Sequence, residues 1–278
     1  MEPTTPATVS AREQVTPLMV RLTLTLDEPG SWVSTGVGDE FVHVDVAAET
    51  VDADGHSARH YTVSGLVENG FEMEVFLHGD GAGATWARDA KVGDSVLVSD
   101  PKEYYEVPEG SGVRVLVGDV TTIPAIARIL ADARADEVFR VVIELPGMGE
   151  RRTFTTAADV RIDWRVGGNG IGPSMICDAL RSLAAEGVLD PAKQPYVWVA
   201  GESKDTRKAR ALLRNEVGLP IRQQRIVGYW HAGLEQILEA WEALSDDLKA
   251  TYLSIWRDDR SDEENWLELE PFLQSVGH

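Results

Sequence analysis

The chain has 278 residues, 43% of them hydrophobic, enough to bury a core in one large domain or two medium ones. Its 26 Lys and Arg against 46 Asp and Glu leave a net charge of −20, which argues against a nucleic-acid or anionic-membrane surface. A single cysteine, Cys177, excludes an internal disulfide, a thiolate zinc site and a cysteine-ligated iron–sulfur cluster.

No apolar run approaches a membrane span, and the polar start lacks the basic and apolar regions of a signal peptide. The six histidines show no HxH or HExxH pairing that would mark a metal site. The composition therefore reads as a cytoplasmic protein with no membrane insertion, no nucleic-acid partner and no dedicated metal ligands.

Residues 1–16 read as a flexible leader. Val20–Leu26 (VRLTLTL) alternates apolar and polar as a half-buried strand does, and Phe41–Val46 and Phe71–Leu77 repeat the pattern. Tyr61–Val63 and Val96–Val98 add shorter strands, and a short helix is expected near Ala84–Ala90. Short strands at this spacing predict a six-stranded antiparallel barrel over residues 17–108.

After Pro108–Gly112, a linker by composition, the period changes. Strand-like runs at Val113–Val117, Phe139–Leu145, Ile162–Val166, Tyr196–Ala200 and Arg225–Tyr229 alternate with helical patterns at Ile123–Ala133, Pro173–Glu186 and Thr206–Val217. That order predicts a five-stranded parallel α/β domain over residues 113–233, with ligands outside the carboxyl ends of its strands. Residues 234–278 read as a helical extension. There Leu234, Ile237, Leu238 and Trp241 fall at i, i+3, i+4 and i+7, and Leu248, Tyr252 and Ile255 extend a stripe that must pack on something, most simply its own domain.

Five stretches carry chemistry. In Arg59-His60-Tyr61-Thr62, alternation along a strand sets a guanidinium and a ring where they suit a pyrophosphate and a planar ligand. The stretch from His78 to Ala87 runs a glycine-rich loop into a short helix, where Gly83 and Ala84 allow close approach and Thr85 can donate to a phosphate. In the stretch from Gly118 to Ile126, Asp119, Thr121, Thr122 and Pro124 join a buried strand to a helix start. Tyr196–Glu202 ends in Ala200-Gly201-Glu202, a strand end stripped of bulk, and the stretch 228–233 ends a strand in Tyr229-Trp230. Taken singly, each stretch has an ordinary structural explanation: a solvated strand, a hairpin loop, a strand–turn–helix or core packing.

In this order the five resemble the siderophore-interacting proteins, FAD-dependent ferric-siderophore reductases of the ferredoxin-reductase superfamily, from about Val20 to Gly233. The resemblance implies FAD across the barrel, NADH or NADPH delivering hydride from the second domain, and a ferric siderophore as substrate. Arg59, Tyr61 and Thr62, with Val63 and Ser64 beside them, would hold the flavin diphosphate and ring. His78, Gly83, Ala84, Thr85 and Trp86 would form the phosphate loop. Asp119, Thr121, Thr122 and Pro124 would floor the place where nicotinamide meets flavin. Ala200, Gly201, Glu202, Tyr229 and Trp230 would flank the dinucleotide. No side chain is required as acid or base, because the cofactor carries the chemistry.

The chain also departs from the family pattern R-x-Y-T-x-R, whose second Arg is Ser64 here. The glycine loop lacks its Pro, Val120 replaces a Glu, Asp100 stands where the family has Gly-Pro-Arg-Gly, and His231 replaces an Arg. These changes keep two alternatives open: a non-reductive protein holding flavin or a small molecule on the same fold, and a flavin reductase with another acceptor. For the nicotinamide donor, Glu144 is placed to take ribose hydroxyls, whereas Arg151-Arg152 could take a 2′-phosphate.

Overall fold

The computed structural model describes residues 4–45, 58–79, 81–169, 171–233, 241, 243–257 and 259–275. The alternating segments of the first hundred residues close on themselves. Strands β1 (Thr4–Thr16), β2 (Met19–Leu26), β3 (Phe41–Asp45), β4 (Ala58–Val67), β5 (Gly70–Phe76) and β6 (Ser95–Ser99) form a closed antiparallel barrel in the order β1-β2-β5-β4-β3-β6. Val20, Leu22, Leu24, Val42, Val44, Val63, Phe71 and Met73 point into it, following the period of two, and closure removes the exposed edges an open sheet would carry. Helix α1 (Ala82–Asp89) follows β5.

Residues 4–16, expected as a flexible leader, instead form the longest strand, 13 residues paired with β2 on one side and β6 on the other. Its core face offers only Ala7 and Val9 as fully buried apolar residues, and register shifts fall between Val9 and Ala11 and between Gln14 and Thr16. The alternation was therefore too weak to read, and backbone pairing with two neighbours holds the strand in place. The expected strand end at Val46 lies outside the described residues.

Beyond residue 112 the strands β7 (Arg114–Asp119), β8 (Val138–Leu145), β9 (Asp159–Val166), β10 (Tyr196–Glu202) and β11 (Gln224–Trp230) pair in parallel in the order β11-β10-β7-β8-β9. Helices α2 (Ile123–Ala131), α3 (Ile176–Ala185) and α4 (Ser203–Leu212) make the crossovers. The chain moves outward from β7 to β9, then returns to β10 on the other side of β7. The crevice between β7 and β10 is thus a topological switch point, the place where open α/β sheets bind ligands.

Two further helices, α5 (Asp246–Ile255) and α6 (Asp262–Ser275), follow β11. Leu234, Ile237 and Leu238 lie outside the described residues. Of the rest of the stripe, Trp241 and Tyr252 meet edge to face at 4.9 Å, while Leu248 is 37% exposed. The tail is held by charge as much as by oil. Glu263 of α6 accepts from Arg210 Nε at 2.7 Å and from the amide of Ile226 at 2.7 Å, Arg210 donates to the Ile226 carbonyl at 2.7 Å, and its guanidinium lies 4.7 Å from the Trp266 ring.

Barrel and sheet are joined by three residues just before β3. Gly38 lies flat on α2, where a Cβ would come within 2.6 Å of Ile129 Cγ1 and 2.7 Å of its backbone nitrogen. Asp39, fully buried, accepts from the amides of Tyr104 and Tyr105 at 3.0 and 2.9 Å and from Trp198 Nε1 at 3.2 Å. Glu40, also fully buried, accepts from Arg128 at 3.0 Å, Ser34 Oγ at 2.7 Å and the amide of Thr35 at 2.8 Å. A second junction pairs Glu74 of β5 with Arg21 at 2.8 Å and with Arg152 at 2.5 Å.

Removing one partner of a buried ion pair leaves the other desolvated and unpaired. Arg128→Ala is therefore expected to lower the unfolding free energy by about 3–5 kcal/mol. Chemical denaturation followed by tryptophan fluorescence measures it, and an unchanged midpoint would show that the junction contributes nothing.

Candidate functional site

On the barrel side, β4 and α1 meet at Gly83. A Cβ there would stand 2.1 Å from Tyr61 Oη and 3.8 Å from Arg59 Cγ, so only glycine lets the first turn of α1 rest on the Arg59–Tyr61 face. Helix α1 is capped by Gly81 without a side-chain bond and has no acidic residue in its first turn, which leaves a positive helix end beside Arg59. Tyr61 and Trp86 are half-buried against the barrel core, and burial raises the Tyr61 hydroxyl pKa despite the nearby Arg59. Thr85 is exposed, and Ala84 is buried. Val63 donates its amide to the Glu40 carbonyl at 2.8 Å and accepts from Arg128 at 2.8 Å, so its backbone belongs to the domain junction. The neighbouring Ser64 Oγ is buried with no hydrogen-bond partner among the described residues.

On the sheet side, β7 ends at Asp119, 1% exposed. Its Oδ1 accepts from the Thr121 amide at 2.9 Å and hydroxyl at 2.5 Å, and its Oδ2 accepts from Trp230 Nε1 at 2.6 Å. Thr122 is fully buried and donates back to the Asp119 carbonyl at 2.6 Å, while Pro124 and Ala200 are also buried, so these three are scaffold. Gly201 adopts φ +151°, and a Cβ there would stand 3.0 Å from Asp119 Oδ2. Glu202 caps α4 through the amides of Lys204 at 2.6 Å and Asp205 at 3.0 Å, and also accepts from the amide of Ala232 at 3.1 Å.

The two sides touch. The Trp230 indole, tied to Asp119, lies 5.4 Å from the ring of His78 at the barrel rim. Tyr229 meets Trp198 edge to face at 5.9 Å, and its buried hydroxyl sits beside Thr62 without the alignment of a hydrogen bond. Burial, reinforced by Arg88, lowers the His78 pKa. The members of the expected set that are exposed or partly exposed are thus Arg59, Tyr61, Ser64, His78, Gly83, Thr85, Trp86, Thr121, Glu202, Tyr229 and Trp230.

A neighbouring acid organises the rim. Glu144, in register with Asp119 at the end of β8, is 4% exposed and accepts from the Met175 amide at 2.6 Å and from Ser174 Oγ at 3.1 Å. A Cβ on Gly168, whose φ is +62°, would fall 2.0 Å from Glu144 Oε1. Asn169 accepts from the Val120 amide at 3.1 Å. Together these contacts clamp residues 168–169 and 174–175 onto the strand ends. Sequence reading passed over this loop because GGNGIGPS follows a strand without matching a dinucleotide fingerprint; its glycine content was the available signal. Burial pushes the Glu144 carboxyl up to about 7, helped by Asp119 and opposed by the Met175 amide, and burial raises Asp119 as well. Among the described residues no group of three or more His, Cys, Asp or Glu is placed to hold a metal ion.

Residues 113–233 match the siderophore-interacting protein family, and residues 45–105 match the siderophore-interacting FAD-binding domain. The chain belongs to the siderophore-interacting protein family. Ferric vibriobactin reductase ViuB of Vibrio cholerae is 24% identical over 166 residues, which cover 59% of this chain and 60% of that protein. The NADPH-dependent ferric-chelate reductase of Escherichia coli is 25% identical over 163 residues, 58% of this chain and 60% of that one. The chain therefore matches less than two thirds of the length of these curated relatives. A crystal structure of a siderophore utilization protein from T. fusca aligns at TM-score 0.69 and 25% identity, covering 83% of this chain and 94% of that one. Barrel followed by parallel sheet is the ferredoxin-reductase-like arrangement, as the sequence led us to expect.

The Glu144 carboxyl supplies a test of this rim. Between its ordinary value of 4.5 and about 7, the folded chain keeps a proton that the unfolded chain releases, so the stability it contributes falls as pH rises through that window. Glu144→Gln, uncharged and still able to accept from Met175, should gain melting temperature relative to the parent as pH rises from about 5 to about 8. A difference that stays flat across the range would show that Glu144 does not hold this proton.

Proposed function

We propose that the chain is an FAD-dependent oxidoreductase that uses NADH or NADPH to reduce a ferric siderophore, releasing Fe(II) in the cytoplasm. The observation that supports it most is the meeting of two unlike binding elements across one crevice. Arg59 and the uncapped start of α1 lie on the barrel side, Asp119, Gly201 and Trp230 on the sheet side, and the His78–Trp230 contact joins them. The ferric reductase names carried by two relatives point the same way. A chain with one cysteine also suits a reducing compartment.

The residues present fit FAD. Gly83 leaves a cradle that a Cβ would fill, Ser64 Oγ is a buried hydroxyl still lacking a partner, and α1 presents amides rather than a carboxylate to the space beside Arg59. Arg59 and the first turn of α1 would hold the diphosphate by charge and by N–H donation. Tyr61 and Thr62 would take the ring system, and Ser64 would donate to a ring or ribose atom. Bound FAD would supply the exchange between a two-electron donor and a one-electron ferric acceptor. Gly201, with no side chain beside Asp119, keeps the end of β10 low, and Asp119 fixes the indole of Trp230 over it. Fe(III) belongs to the substrate, whose chelator releases the reduced ion because hard oxygen ligands favour Fe(III).

Purified protein reconstituted with FAD should show flavin absorption and reduce a ferric chelate when given NADH or NADPH. A colourless preparation that ignores FAD would overturn the reading in favour of a non-flavin binding protein, and turnover with dyes but no ferric chelate would move the acceptor elsewhere. Arg59→Ala should weaken FAD by roughly 10- to 100-fold, since charge-assisted hydrogen bonds contribute about 1.5–3 kcal/mol. Equilibrium titration of flavin fluorescence measures the change.

A further inference from the structure

We infer that the loop after β8 selects a nicotinamide dinucleotide carrying a 2′-phosphate, so that the donor is NADPH and Arg151 is the specificity-determining residue. This rests on the proposed reductase reading and narrows it. In open α/β sheets the dinucleotide crosses the switch point, and its adenosine ribose meets the end of a neighbouring strand. A carboxylate there takes a free 2′-hydroxyl, whereas an Arg nearby accommodates a 2′-phosphate. The strand next to β7 on the outward side is β8, and the chain around its end offers one of each, Glu144 and Arg151.

The fold withdraws the acid and presents the cation. Glu144 is 4% exposed, its carboxylate accepts from the Met175 amide and Ser174 Oγ, and Gly168 packs over it, so no ribose hydroxyl reaches it. Arg151 is exposed and makes no ion pair among the described residues. Its guanidinium lies 5.9 Å from the centre of the Trp164 ring, which in turn stacks on Phe154 at 5.9 Å and 16°. A guanidinium resting on an aromatic face is held in orientation and keeps its N–H edge for two phosphate oxygens. Beside it opens a pocket of about 570 Å³ lined by Met148, Arg151, Arg152 and Thr153, within the size range of small-molecule sites.

This pocket borders the same crevice as the flavin-side residues. A Cβ on Gly149 would stand 3.5 Å from Pro17, Glu150 accepts from the Leu18 amide at 3.1 Å, and Arg152 donates to Glu74 of β5 at 2.5 Å, so the loop rests on the barrel. Glu74 precedes His78 by four residues, about 13 Å of extended chain. His78 in turn meets Trp230 at the end of β11. The crevice thus has an exposed guanidinium at one end and the His78–Trp230 rim at the other, which suits an elongated ligand with a nicotinamide and a phosphorylated ribose.

The test is equilibrium binding of NADP⁺ and NAD⁺ to the full-length, FAD-loaded chain by calorimetry, with steady-state rates for NADPH and NADH alongside. NADP⁺ is expected to bind at least about tenfold more tightly than NAD⁺, the difference that one charge-assisted contact of roughly 1.4 kcal/mol produces. Arg151→Gln removes the charge from an exposed position and should bring NADP⁺ down to the level of NAD⁺, whose own affinity is unchanged. Arg161→Gln removes an equal charge from an exposed position on the opposite face of β9 from Trp164 and should leave the gap as it was. NAD⁺ binding as tightly as NADP⁺, a gap that survives Arg151→Gln, or one that closes equally in Arg161→Gln would overturn this inference and leave the reductase reading standing. Failure of both dinucleotides to bind would overturn it together with the donor half of that reading.

Discussion

The candidate site depends on burial of two adjacent acids, Asp39 and Glu40, at the seam between barrel and sheet. Neither domain presents a complete site, since Arg59 and α1 belong to one and Asp119 and Trp230 to the other. What fixes their relative position is a set of directional bonds: Arg128 and Trp198 reach from the sheet domain to carboxylates of the barrel. Directional bonds to buried charges specify one geometry more sharply than apolar contact, which tolerates sliding. Gly38 then sets the distance, because no side chain separates it from α2.

Close approach recurs within the site. Gly83 brings a helix start onto Tyr61, Gly201 brings β10 under Asp119, and Gly168 folds a loop onto Glu144. At each place the neighbour is a polar side chain whose position matters to the proposed chemistry. Adding a methyl group at any of them would push that side chain aside before it touched a ligand. Glycine here acts on the protein's own polar groups as much as on any guest.

The fold was largely legible because its signals are periodic. Alternation marked three of the barrel strands and short apolar runs two more, and β-branched runs separated by helical spacing marked the parallel sheet. The strand β1 was not legible, since Ala7 and Val9 alone face inward and its polar residues read as a tail. At the site, short motifs named most of the residues that the structure brings together, because stripped strand ends and glycine loops leave a trace in composition. What motifs could not separate was scaffold from surface: Thr122, Pro124 and Ala200 share a stretch with Thr121 and Glu202 but are buried. Asp39 and Glu40 escaped notice for an opposite reason. Acids before a strand ordinarily belong to a solvated turn, and only the arrival of Arg128 and Trp198 from far along the chain makes them interior.

The two margins of the parallel sheet are protected in different ways. On β9 the outward-facing Arg161, Asp163 and Arg165 alternate in sign, so a second strand laid alongside would have to desolvate charge at each step. On β11 the protection is supplied by another part of the chain: Glu263 and Arg210 occupy the free amide and carbonyl of Ile226. A proteolytic cut that released α6 would uncover a strand ready to pair with another molecule. The C-terminal helix thus serves solubility as well as packing, and clipping it would convert a closed margin into a template for aggregation.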